Sequence, residues 1–153
     1  MSEAARTRWL KIILRAWGGV SILIFGTIFV GYAIQTPAFR QGGALAPLVW
    51  DDLPGHVALM ISGIYLTWAV FLLIASAHPA KYTSFLAFTM WANLVHSLIM
   101  IPGALEHQYH SKFATDIPWI LLLSVAIFVL RPRDTEITSF APQSATNPSE
   151  ATR

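Results

Sequence analysis

VALMISGIYLTWAVFLLIASA, HPAKY, TSFLAFTMWANLVHSLIMI: residues 57–101 are two apolar runs, 57–77 and 83–101, without Asp, Glu, Lys or Arg, joined by the short link 78–82. A helix rises about 1.5 Å per residue, so the runs reach roughly 31 Å and 28 Å, close to the hydrocarbon thickness of a bilayer. Pro79 ends the first helix, and a link this short makes the two helices antiparallel. The pair therefore reads as a membrane hairpin at the centre of the chain.

Outward from it lie two further runs. Upstream, 16–34 is uncharged and spans roughly 28 Å. Arg6, Arg8, Lys11 and Arg15 precede it, as in a signal peptide. The run is longer than the usual apolar core of about 7–15 residues, however, and Thr36-Pro37-Ala38 is a poor cleavage site, so it reads as an uncleaved anchor. Downstream, 117–130 covers only about 21 Å, and counting back to Phe113 brings Asp116 to the membrane surface. Thr115 or Asp116 can cap this helix, with Pro118 in its first turn. The expected fold is all-α: an integral membrane bundle of four antiparallel transmembrane helices, at about residues 9–34, 56–77, 83–102 and 115–131. The loop 35–54, broken by Pro37, Gly42, Gly43, Pro47 and Pro54, and the polar loop 104–115 join them. Residues 134–153, rich in Ser, Thr, Pro and Glu, are expected to form a disordered cytoplasmic tail.

Composition agrees. Hydrophobic residues make up 55% of the 153 and charged ones 12%, about half the share usual in soluble domains. Mean hydropathy is +0.56, so the partner of most of the surface is the lipid bilayer. The absence of cysteine excludes disulfides and thiolate chemistry. A net charge of +2 with no basic stripe among aromatics gives no nucleic-acid partner. Eight of the ten Lys and Arg (Arg6, Arg8, Lys11, Arg15, Lys81, Arg131, Arg133, Arg153) fall at the termini and the second loop, against Arg40 and Lys112 in the other loops. By the positive-inside rule both termini are cytoplasmic (N-in/C-in) in a cell inner membrane, and the first and third loops face outward. Trp9 and Trp17 are expected at the inner interface, Trp50 and Trp119 at the outer one, and Trp68 and Trp91 in the packing.

Thr89, Asn93, His96 and Met100 share one face of the third helix, with Ser97 a turn from Asn93. Such a stripe must face protein or water, because an unsatisfied donor in lipid is costly. At matching depth on the second helix stand Ser62 and Tyr65, expected hydrogen-bond partners for His96 and Asn93. One reading is helix packing, to which the small pair Gly63 and Thr67 also belongs. The other is a ligand site centred on an intramembrane histidine. Its residues would be Tyr65, Asn93, His96 and, at the rim, Asp116, in an outward-opening pocket between helices two, three and four.

The outward side also gathers Asp51, Asp52, His56, Glu106, His107 and His110. Imidazole with carboxylate suits a divalent metal, for which His56, Glu106, His107 and His110 are the candidates. The order Glu106-His107-x-x-His110 is nevertheless not that of a zinc protease, and a solvated loop explains the residues equally. Haem between His56 and His96 fails on depth, because His56 lies at the surface. No cofactor is expected. No Ser-His-Asp order, phosphate loop or intramembrane carboxylate pair is present.

With these segments placed, the chain resembles a family of small bacterial four-helix membrane proteins of unknown function. The resemblance runs from about Trp9 to Arg133. Its residues are Met60-Ile61-x-Gly63-Ile64-Tyr65, Phe71-Leu72-Leu73-x-Ala75-Ser76, Phe88-x-x-Trp91 with His96 and Met100, Asp116-Ile117-Pro118 and Pro132-Arg133. Tyr65, Trp91, His96 and Asp116 are its specific part. The Gly/Ala-rich first loop departs from the family's Trp/Pro-containing one. The resemblance implies the fold and no activity. The expected function is accordingly a non-enzymatic accessory or small-ligand-binding bundle. The alternatives are a small transporter acting as a homo-oligomer or within a larger complex, and a membrane enzyme with an outer-face metal site.

Overall fold

The computed structural model describes residues 1–40, 42–49 and 54–131, all of whose regular structure is helical. Trp50, Asp51, Asp52 and the tail 134–153, all singled out above, lie outside these residues. The helices are α1 (Glu3–Ala33), α2 (Gly55–Ala77), α3 (Thr83–Ala104) and α4 (Asp116–Leu130). Four helical stretches are long and apolar enough to cross a membrane.

α1 starts well before the expected residue 9, because the Ser2 side chain accepts the amide N–H of Ala5 and Glu3 suits the positive end of the helix dipole. It stops at a left-handed Gln35 (φ 55°), where Thr36 N–H bonds Gly31 C=O and Gln35 N–H bonds Tyr32 C=O. These two bonds take up carbonyls the helix end would leave open, and Pro37 prevents resumption. α3 runs two residues past Pro102, which removes one intrahelical N–H bond in the last turn without ending the helix there. The fourth span is longer than its apolar run. A 3-10 segment, His107–Phe113, leads into α4, giving a helical stretch of 22 residues from Tyr109 to Leu130. Thr115 occupies the N-cap position but makes no capping bond, because its hydroxyl donates back to Ser111 C=O.

α2 and α3 form the expected antiparallel hairpin, touching at Tyr65–His96, Trp68–Thr89 and Phe71–Phe85, but they are not the most closely packed pair. The closest backbone packing is α1 on α2, then α3 on α4, while α2 and α3 meet mainly through large side chains. Small residues explain the choice. Gly18 lies so near α2 that a Cβ there would stand 2.9 Å from Leu73 Cγ and 3.1 Å from the Ala69 carbonyl. The pair Gly63 and Thr67 takes less part in this packing, since Thr67 is exposed and bonds the Gly63 carbonyl of its own helix. α3 and α4 are joined by Ser124, whose hydroxyl donates to Met90 C=O at 2.7 Å.

The start of α1 and the close of α4 meet at one end of the bundle, where Arg6 donates to the carbonyls of Val129 and Arg131. Next to them is a dry core of Leu10, Leu14, Leu72, Leu86, Leu123 and Ile127. Trp17 and Trp119, expected at opposite interfaces, stack face to face with centroids 4.1 Å apart. The reason is the early start of α1, which carries Trp17 about 17 Å beyond Arg6 and level with the second turn of α4. Trp91, expected in the packing, is 59% exposed on the outer face of α3.

Candidate functional site

The other half of the bundle is hollow. A cavity of about 600 Å³ lies between the four helices and reaches the loop end, where Leu48, Val49, Ala114 and Thr115 line it. Trp17, Trp68 and Leu123 separate it from the dry core. Tyr65, Asn93, His96 and Asp116, chosen from sequence, all line this one cavity. α1 is also a wall, contributing Ser21, Ile24, Phe25 and Ile28, so the half-open space is lined by all four helices and not by helices two to four alone.

The polar stripe of α3 has two parts. Thr89, Asn93 and Ser97 are buried. The Thr89 hydroxyl accepts the Trp68 indole N–H at 3.2 Å, Asn93 donates its amide to Thr89 C=O at 2.8 Å, and Ser97 donates to Asn93 C=O at 2.8 Å. His96 and Met100 are half-buried and turn to the cavity, where Asn93 joins them. Of the expected cross-helix bonds one forms, between Tyr65 Oη and His96 Nδ1 at 3.3 Å. Ser62 does not reach α3, because its hydroxyl donates to Ala58 C=O at 2.7 Å. A serine hydroxyl in a helix finds the carbonyl one turn back more easily than a partner across a wide gap.

Aromatic rings hold the dyad. Phe25 of α1 stacks on Tyr65 with centroids 4.5 Å apart and an interplanar angle of 8°. Trp68 and His96 meet Tyr65 edge-on at 6.1 and 6.2 Å. Such contacts fix ring orientation beyond simple burial. The dyad thus stands among packed aromatic rings.

At the rim, Asp116 Oδ2 accepts from Lys112 Nζ at 2.8 Å. Lys112 is buried, and its ammonium also donates to Pro47 C=O at 2.8 Å. It ties the loop that carries Leu48 and Val49 to the head of α4. The i,i+4 spacing of Lys112 and Asp116 was visible in the sequence, but the long-range tie to Pro47 was not. Trp17, Phe25 and Trp119 were equally missed as site residues, since an apolar ring on a membrane helix carries no mark of the side it faces.

His56 and His110 are exposed at the loop end, and His110 Nε2 contacts Leu105 C=O at 3.0 Å. Glu106 is exposed as well, while the His107 side chain lies outside the described set. Among the described residues no three His, Asp or Glu gather around a point that would hold a metal ion.

A family model described as a family of unknown function matches residues 9–146. No curated protein and no solved structure matches the chain.

Proposed function

The chain belongs to DUF6632, a family of unknown function, so its activity has to be argued from its own residues, and we propose that it binds a small lipophilic molecule inside its bundle. The observation that carries this reading is the cavity between the helices at the loop end of the bundle. One end is packed to a dry core, and the other leaves about 600 Å³ around the Tyr65–His96 dyad. Ligand pockets are typically of 300–1,000 Å³ with apolar walls and a few placed polar groups.

In this reading Tyr65, His96 and Asn93 supply the polar contacts, and Asp116, held by Lys112, shapes the mouth. The termini lie in the cytoplasm and the mouth faces outward across a cell inner membrane, an orientation supported by the eight basic residues at the termini and second loop. The role is that of a carrier, sensor or accessory protein without chemistry of its own. Transport would call for a broken helix or a charge at the midplane. α2 and α3 run unbroken, and the buried ammonium of Lys112 belongs to the loop end.

The test is mass spectrometry of lipophilic molecules retained on protein purified in mild detergent. Ser21→Phe, which places a ring in the cavity, serves as the blocked control. A species bound by the parent chain and lost from the variant is expected. Identical small-molecule content in two folded proteins would refute the reading.

A further inference from the structure

The walls of the cavity narrow the kind of molecule it takes. No Lys or Arg is among the described residues that line it. Its one carboxylate, Asp116, already has the Lys112 ammonium at 2.8 Å. An anionic ligand would find no counter-charge there, and a cationic one would meet a carboxylate already neutralised. Leaving a charge unpaired in an apolar space is costly, so the fit is to an uncharged molecule.

The hydrogen-bonding inventory then gives its polarity. Neutral imidazole has one N–H and Tyr65 one O–H, and a single bond joins them. If Tyr65 donates to Nδ1, the imidazole N–H on Nε2 is left over. If Nδ1 donates, the phenol O–H is left over. Either tautomer leaves the dyad with one donor that no described residue takes up. The dyad is therefore short of one acceptor, which an uncharged ligand would supply as a carbonyl oxygen.

Shape follows from the rings. Trp17, Phe25, Tyr65, Trp68 and Trp119 all line the cavity, and against so many aromatic side chains a planar ring packs better than a mobile acyl chain. We propose that the cavity binds an uncharged, flat, lipid-soluble ring bearing carbonyl oxygens, a quinone or a cyclic ketone of similar size, with one oxygen on the Tyr65–His96 dyad. Binding alone is meant, with no electron transfer. The inference rests on the cavity being a ligand site, as proposed above.

The experiment uses the full chain in lipid nanodiscs and reads quenching of its tryptophan fluorescence. The probes are menadione, 1-tetralone, 2-methylnaphthalene (the same ring size without oxygen) and decanol. Menadione and tetralone should bind saturably, and methylnaphthalene about fivefold or more weakly, the worth of one hydrogen bond. His96→Leu should erase that difference. Ser21→Phe and the milder Ala58→Leu, each checked for an unchanged thermal midpoint, should abolish binding of every probe. Equal affinity for methylnaphthalene and menadione, or menadione binding indifferent to His96→Leu, overturns the carbonyl-ring assignment. Decanol binding tightest, with loss on cavity filling, also overturns it while leaving a ligand site. No probe binding saturably, or binding untouched by both filled variants, defeats the ligand site itself. A preference for menadione over tetralone assigns the quinone, and the reverse assigns the ketone.

Discussion

Lys112 shows how much one side chain decides. Its side chain is 4% exposed, and both of the partners named for its ammonium are oxygens, one from the Asp116 carboxylate and one from the Pro47 backbone. Pro47 precedes the two loop residues that line the cavity, so a single cation sets the position of the loop and of the rim carboxylate together. Lys112→Met removes both bonds and leaves Asp116 without this counter-charge. Hydrogen bonds to charged groups are worth about 1.5–3 kcal/mol each, reduced at Asp116 because its side chain is 32% exposed. A loss of about 2 kcal/mol is expected, read as a lower thermal midpoint in detergent. An unchanged midpoint would mean that the loop is held by other contacts.

Among elements, the pairing of α1 with α2 rests on a lack of side chain. In lipid there is no hydrophobic drive between helices, so close backbone approach and van der Waals contact do the work. Gly18 provides that approach, whereas its neighbour Gly19 has nothing within 4 Å of an added Cβ. The two glycines make a matched test. Gly18→Ala should destabilise by about 1–3 kcal/mol through overpacking against Leu73 and the Ala69 carbonyl. Gly19→Ala should be neutral or stabilising by up to about 1 kcal/mol through helix propensity. Denaturation of the two variants in mixed detergent micelles measures both, and equal effects would show that α1 and α2 are not held by this contact.

For the molecule as a whole, the bond from Arg6 to the last carbonyls of α4 places the N-terminus and the end of α4 together, and the Lys112 tie joins the first and third loops at the opposite end. The chain has no cysteine, so single cysteines report position cleanly. With the orientation proposed, Ser111→Cys reacts with an impermeant maleimide from outside intact cells. Ser2→Cys reacts only once the membrane is opened. The converse pattern would invert the proposed topology and turn the cavity mouth inward.

Four spans and the polar face of α3 were legible in the amino acids, because uncharged length and helical spacing are local properties that lipid imposes directly. Tyr65, Asn93, His96 and Asp116 could be picked on the same ground, since each is costly to turn toward acyl chains. Which helices lie closest, the hollow half, the Trp17–Trp119 stack and the hold of Lys112 on Pro47 came only with the tertiary structure. Those depend on how apolar surfaces of nearly equal hydrophobicity fit together. That fit is a matter of shape, which a run of Leu, Ile and Phe does not encode in its order.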